Sequence, residues 1–112
     1  MDDGNSSDEE VFTTSNQSTL EDINNFKGNY EVEKKDYQTR PLLTKYERTL
    51  ILSERTQQLA NGSMSFLKNP ENYNSTYEIA VEELRQKKIP FLLKRPFREG
   101  YELWKVSEMR IN

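Results

Sequence analysis

The chain contains neither cysteine nor histidine. That excludes disulfides, thiol nucleophiles, the usual zinc sites and imidazole general bases. Glycine is scarce, with four residues in all, and none of them builds a phosphate-cradling loop. Long apolar runs are missing too. Nothing approaches the roughly 20 apolar residues of a membrane helix, and no charged-then-apolar leader is present, so an intracellular, soluble protein without membrane contact is expected. Hydrophobic residues fill 33% of the 112 positions, and the mean hydropathy is -0.99. Such a chain cannot bury a large core along its whole length; part is expected to be disordered or to find its core on a partner. No Asp/Glu constellation stands out beyond the acidic N-terminal stretch and ordinary helix faces. The expectation is therefore no catalytic residue, no cofactor and no metal.

What the chain does have is charge, unevenly placed. The net charge of -3 combines ten acidic and four basic groups in residues 1–40 with nine acidic and twelve basic groups in residues 41–112. Residues 1–40 are rich in Ser, Asn, Thr and Asp, with apolar residues scattered singly and no sustained period, the composition of a disordered acidic arm. Within it, Asp8-Glu9-Glu10-Val11-Phe12 is an acidic string with an apolar anchor, suited to a basic domain such as that of a transcription factor. A plain solubilising tail is the alternative. Ser6 and Ser7 precede acidic residues by three positions, the spacing an acidophilic kinase reads, and phosphate there would add to the existing charge.

Residues 41–112 read as one small domain. Thr44-Lys45-Tyr46-Glu47 is a capping box that opens a helix through Leu50, Ile51, Leu52, Leu59 and Ala60, stopped by Asn61-Gly62. Tyr46, Leu50, Ser53, Gln57 and Ala60 recur at helical spacing as a stripe open to another backbone. Ser75-Thr76-Tyr77-Glu78 is a second capping box, and the helix it opens runs to Gln86-Lys87-Lys88, where cations suit the helix dipole and Pro90 forbids continuation. Phe91-Leu92-Leu93 and Tyr101–Val106 then read as two strands around a turn at Glu99-Gly100. The expected fold is α+β: two capped helices followed by a β-hairpin, preceded by the acidic arm.

Thr44-Lys45-Tyr46-Glu47-Arg48 resembles the opening of the common small subunit shared by eukaryotic-type RNA polymerases, the omega/subunit-K family. The likeness continues at Arg55, Gln57-Gln58-Leu59-Ala60, Ile79-Ala80, Glu83-Leu84, Lys87-Lys88-Ile89-Pro90 and Arg95. It closes at Gly100, Glu102, Trp104, Val106, Glu108 and Ile111. Departures at Ser53-Glu54-Arg55-Thr56, in the connection from Ser63 to Asn74 and around Arg95-Pro96-Phe97 fit a divergent, virus-encoded member. The resemblance implies a non-catalytic subunit that latches the largest polymerase subunit and promotes assembly of the core enzyme, touching DNA only through that complex. It implies a nuclear location for a cellular copy, and the virion or host-cell cytoplasm for a viral one.

The contact residues so implied are Thr44, Tyr46, Glu47, Leu50, Arg55 and Leu59 on the first helix, the Ile89-Pro90 edge, and Arg95 and Trp104, residue types enriched at interfaces. Each has a plainer reading: Thr44 and Glu47 as a cap, Arg55 as a solvated helix residue, Trp104 as core. The rival function is a free-standing nucleic-acid-binding transcription factor using Lys87, Lys88, Lys94, Arg95 and Arg98. The small positive balance of residues 41–112 and the lack of a base-reading helix speak against it.

Overall fold

A computed structural model describes residues 17–111. Strand β1 (Thr19–Asp22) is followed by the short helix α1 (Tyr30–Glu33), the long helix α2 (Lys45–Ala60), helix α3 (Thr76–Arg85), and strands β2 (Phe91–Phe97) and β3 (Gly100–Lys105). The strands form one antiparallel sheet in the order β1-β2-β3. The architecture is α+β, as expected, with one strand and one short helix added ahead of the predicted elements.

Those additions lie ahead of Pro41, where the sequence placed the start of the folded half. Residues 17–40 are laid onto the domain: β1 pairs with β2 from Thr19 opposite Lys94 to Asp22 opposite Phe91. Phe26, Tyr30, Tyr37 and Trp104 make a row of edge-to-face rings with centroids 5.0–6.5 Å apart. The composition of this stretch hid its order because its few aromatics are spaced irregularly, and Tyr30 and Tyr37 find their partners on β3, far along the chain. The acidic string and the two phosphorylation candidates, Ser6 and Ser7, lie outside the described residues.

Helix α2 begins as the sequence dictates. The Thr44 hydroxyl accepts from the Glu47 N–H, and the Glu47 carboxylate accepts from the Thr44 N–H, each at 3.0 Å. At its far end Gly62 adopts φ +103°, which a glycine takes without the Cβ penalty, and Ser63 N–H closes back on the Gln58 carbonyl. The second box is only half formed: Ser75 accepts from Glu78 N–H, but the Glu78 carboxylate takes the N–H of Asn74, one residue earlier. Helix α3 ends on the same motif as α2, with Lys87 at φ 63° in the position Gly62 holds. The hairpin turn is also displaced by one residue. Phe97 pairs with Gly100, so Arg98 and Glu99 make the turn, and Arg98 (φ 56°) supplies the left-handed residue.

The core is one cluster of Leu43, Ile51, Leu52, Leu59, Ala80, Leu84, Ile89, Phe91, Leu93, Trp104, Val106 and Met109. The side of α2 that reaches it carries Glu47, Ile51, Leu52, Arg55 and Leu59. The stripe read from the sequence, Tyr46, Leu50, Ser53, Gln57 and Ala60, is the outward side: Ser53, Gln57 and Ala60 are exposed, and Leu50 is half-buried. Two charges occupy core positions of α2, and they masked its true apolar stripe.

Candidate partner-binding surface and the buried charges behind it

The charged contact residues singled out on α2 and β2, Glu47, Arg55 and Arg95, do not face solvent. Glu47, in the first turn of α2, is a helix cap and an ion-pair partner at once. Its Oε1 accepts from Arg95 Nη2 at 2.7 Å, and its Oε2 from Arg95 Nε at 2.9 Å and from the Ser18 hydroxyl at 2.7 Å. Arg95 reaches it from β2 and spends its remaining donors on Thr39 Oγ1, the Arg40 carbonyl and the Leu42 carbonyl, at 2.8–3.1 Å. The fork geometry of a guanidinium suits such a hub, which a lysine could not replace.

The network continues through Thr39. Its hydroxyl donates to Glu102 Oε1 at 2.5 Å, and Glu102 also accepts from Gln38 N–H at 2.6 Å and from the Trp104 indole at 3.2 Å. Ser18, Glu47, Arg95, Thr39, Glu102 and Trp104 thus form one polar chain. It ties residues 17–40 to α2 and both hairpin strands.

A second buried pair joins the two long helices. Arg55 Nε donates to Glu83 Oε1 at 2.5 Å and Arg55 Nη2 to Glu83 Oε2 at 3.1 Å. Glu83 is 0% exposed, and it also accepts from the Ser65 hydroxyl and the Phe66 N–H. Arg55 further donates to Gln58 Oε1 and the Met64 carbonyl, and its guanidinium lies 4.8 Å from the Phe66 ring centroid. This pair fixes the loop after α2 against α3.

Burial pushes the carboxyls of Glu47, Glu83 and Glu102 upward, yet all three are held below the ordinary value of 4.5. The Arg95, Thr44 and Ser18 donors outweigh burial at Glu47; Arg55, Phe66 and Ser65 do so at Glu83. At Glu102 the donors that outweigh burial are Thr39, Gln38 and Trp104, with Arg95 opposite it on β2. All three are therefore carboxylates at neutral pH.

The structure thus sorts the predicted contact residues. Glu47, Arg55, Leu59, Ile89, Arg95 and Trp104 are buried within the chain. Thr44 and Tyr46 are exposed, and Leu50 and Pro90 half-buried. Tyr46 is 46% exposed. With Leu50, Leu20 and Phe91 it lines a groove of about 300 Å³ between β1 and α2. The basic cluster does not assemble into a patch. Arg95 is buried; Lys87 Nζ donates to the Met109 carbonyl, Lys88 Nζ to the Phe66 carbonyl at 3.4 Å, and Lys94 lies 4.4 Å from the Tyr101 ring centroid.

Glu83, Glu102, Ser18 and Thr39 were not anticipated as structural centres. Glu83 could have been found, since it sits three residues after Ala80 and beside Leu84 on the inward side of α3, where a lone carboxylate demands a cation. Ser18 and Thr39 carried no such signal.

The elements that build this site are those of a known family. Residues 39–91, from Thr39 through α2 and α3 to the first residue of β2, match the family RNA polymerase Rpb6. Among curated proteins, the chain is 42% identical over 79 residues to a Schizosaccharomyces pombe subunit named for DNA-directed RNA polymerases I, II and III. That match covers 70% of this chain and 55% of the relative. The Saccharomyces cerevisiae counterpart is 36% identical over 75 residues, covering 66% and 48%. A subunit 6B of Arabidopsis thaliana polymerases II and V is 39% identical over 72 residues, covering 63% and 49%. The chain belongs to this family of small polymerase subunits, the omega/subunit-K type, and spans about half the length of the curated relatives it matches. Strand β1 lies ahead of the matched segment.

Proposed function

We propose that this chain is a non-catalytic subunit of a multi-subunit DNA-directed RNA polymerase, and that it latches the largest subunit and favours assembly of the core enzyme. The observation that carries this reading is the family match across α2 and α3. The arrangement of the domain suits the task. Its five buried charged residues, Glu47, Arg55, Glu83, Arg95 and Glu102, brace a thin core, and a rigid accessory subunit can stabilise a partner without chemistry of its own.

The contact surface proposed for the largest subunit is the accessible side of α2, with Tyr46 and Leu50 as anchors and Thr44 and Pro90 at its margins. Arg55, Leu59 and Arg95 act behind it by fixing α2 and β2. A cellular copy works in the nucleus, a virus-encoded one in the virion or the host-cell cytoplasm. Co-expressing the polymerase subunits of the source with and without this chain, then sizing the products, tests the proposal. The chain should enter the large complex and raise its assembled fraction. Elution of the chain alone, with assembly unchanged, would overturn it.

A further inference from the structure

The two outer edges of the sheet differ. Along β3, the outward N–H groups of Leu103 and Lys105 donate to the Tyr37 and Tyr30 hydroxyls at 3.3 and 3.1 Å, so the stretch ahead of α2 covers that edge. At the other side β1 pairs only with β2 among the described residues. The ladder between them continues with the Ile23 N–H donating to the Pro90 carbonyl. Alternation then turns the backbone groups of Thr19 and Glu21 toward β2 and leaves the N–H and C=O of Leu20, and the N–H of Asp22, pointing outward. An open edge of this kind is a template for a further strand.

Beside that edge lies the groove that Tyr46 and Leu50 share with Leu20 and Phe91. Its charged lining is Glu21, Asp22 and Glu54, with no cation. Glu54 is exposed and meets no partner among the described residues. The Asp22 carboxylate accepts from the Asn24 N–H at 2.8 Å, a neutral donor that leaves its charge in place. Glu21 has a cation near it, Lys94 Nζ at 3.8 Å, and that lysine also lies over the Tyr101 ring. Two carboxylates without a cation therefore flank an apolar floor next to outward backbone groups. Acidic residues on an open edge deter neutral and anionic strands and admit a cationic one. Residues 1–16 of the chain itself, with five acidic and no basic side chains, have the wrong sign for it.

We infer that this groove takes a short, extended, Lys/Arg-rich segment of the largest subunit as an added strand on β1. Its backbone bonds to Leu20, its apolar side chains rest on Leu50 and Phe91, and its cations face Asp22 and Glu54. The inference rests on the reading of Tyr46 and Leu50 as anchors for that subunit, and it adds the chemistry of the segment they hold. Nucleic acid, a polyanion, fits the groove least.

The test uses the full chain and a short fluorescein-labelled peptide of Lys, Val and Leu, read by fluorescence anisotropy at low salt. Saturable binding is expected, weakened about tenfold by Leu50→Asp and by Glu54→Lys in variants with unchanged thermal melting, and weakened by rising salt. The same peptide with Glu in place of Lys should not bind. N-methylation of alternate residues tests the strand itself, since only one of the two alternating sets faces β1. One methylated peptide should bind like its parent, and the other should bind at least about tenfold more weakly. No saturable binding, equal binding of the Glu peptide, insensitivity to both substitutions, or equal effects of the two methylation patterns would each overturn the inference. Failure of the peptide while the chain still enters the large complex strikes the added strand alone. A peptide that binds a chain remaining outside that complex strikes the largest subunit as its source.

Discussion

Replacing Arg55 by leucine removes the cation from a carboxylate that has no access to water. Glu83 would keep the Ser65 hydroxyl and the Phe66 N–H but lose both bonds from the guanidinium, and the Met64 carbonyl and Gln58 would lose their donor too. Breaking a buried pair from one side costs about 3–5 kcal/mol, because the surviving charge stays desolvated. Against a typical total of about 5–15 kcal/mol, that is a large share. In urea, with a slope of about 1.5 kcal/mol/M, the unfolding midpoint should fall by about 2 M or more. Removing the carboxylate as well, in Arg55→Leu with Glu83→Leu, should recover part of the loss, so that the double-mutant cycle shows a coupling of about 1.5 kcal/mol or more. The pH dependence follows from the same geometry. Without Arg55, burial dominates at Glu83 and pushes its carboxyl up, so the variant's loss relative to the parent should be largest at neutral pH and shrink steadily as pH falls. A loss below about 1 kcal/mol at pH 7, or strict additivity in the cycle, would refute the buried-pair argument.

Among the described residues, the buried Thr56 Oγ1 finds no hydrogen-bond partner, so Thr56→Val should raise stability by about 1 kcal/mol in urea melts. Arg98 bears the left-handed turn conformation at φ 56°, and Arg98→Gly should raise the melting temperature, the relief of about 1–2 kcal/mol being partly offset by the entropy of glycine. Glu47, Glu83 and Glu102 have folded values below 4.5. Their contribution is complete above the unfolded value and is lost as pH falls through the folded ones. Stability measured by urea titration should therefore be level from pH 7 to about 5 and drop steeply below about 4.5.

Much of the fold was legible because local signals were strong. Thr44 and Glu47 announced α2, Asn61-Gly62 its end, and Pro90 the start of the sheet. The interior was less legible, for a physical reason. Glu47, Arg55, Glu83, Arg95 and Glu102 hold positions that apolar residues usually take, so hydrophobic spacing pointed to the wrong side of α2. Their burial depends on partners 28–64 residues away in sequence, and such pairings leave no local trace. The same holds for β1, whose four residues acquire meaning only beside β2. Resemblance picked out Arg55 and Arg95, but only geometry shows that they face inward and leave Tyr46 and Leu50 outside.

The central claim is tested most directly by isolating the tagged chain from its native source at moderate salt, beside a Tyr46→Ala, Leu50→Asp variant with the parent's melting temperature. The account predicts near-stoichiometric recovery of the two largest polymerase subunits with the parent, and their loss with the variant. Recovery of the parent chain alone, or with nucleic acid released by salt, would contradict it.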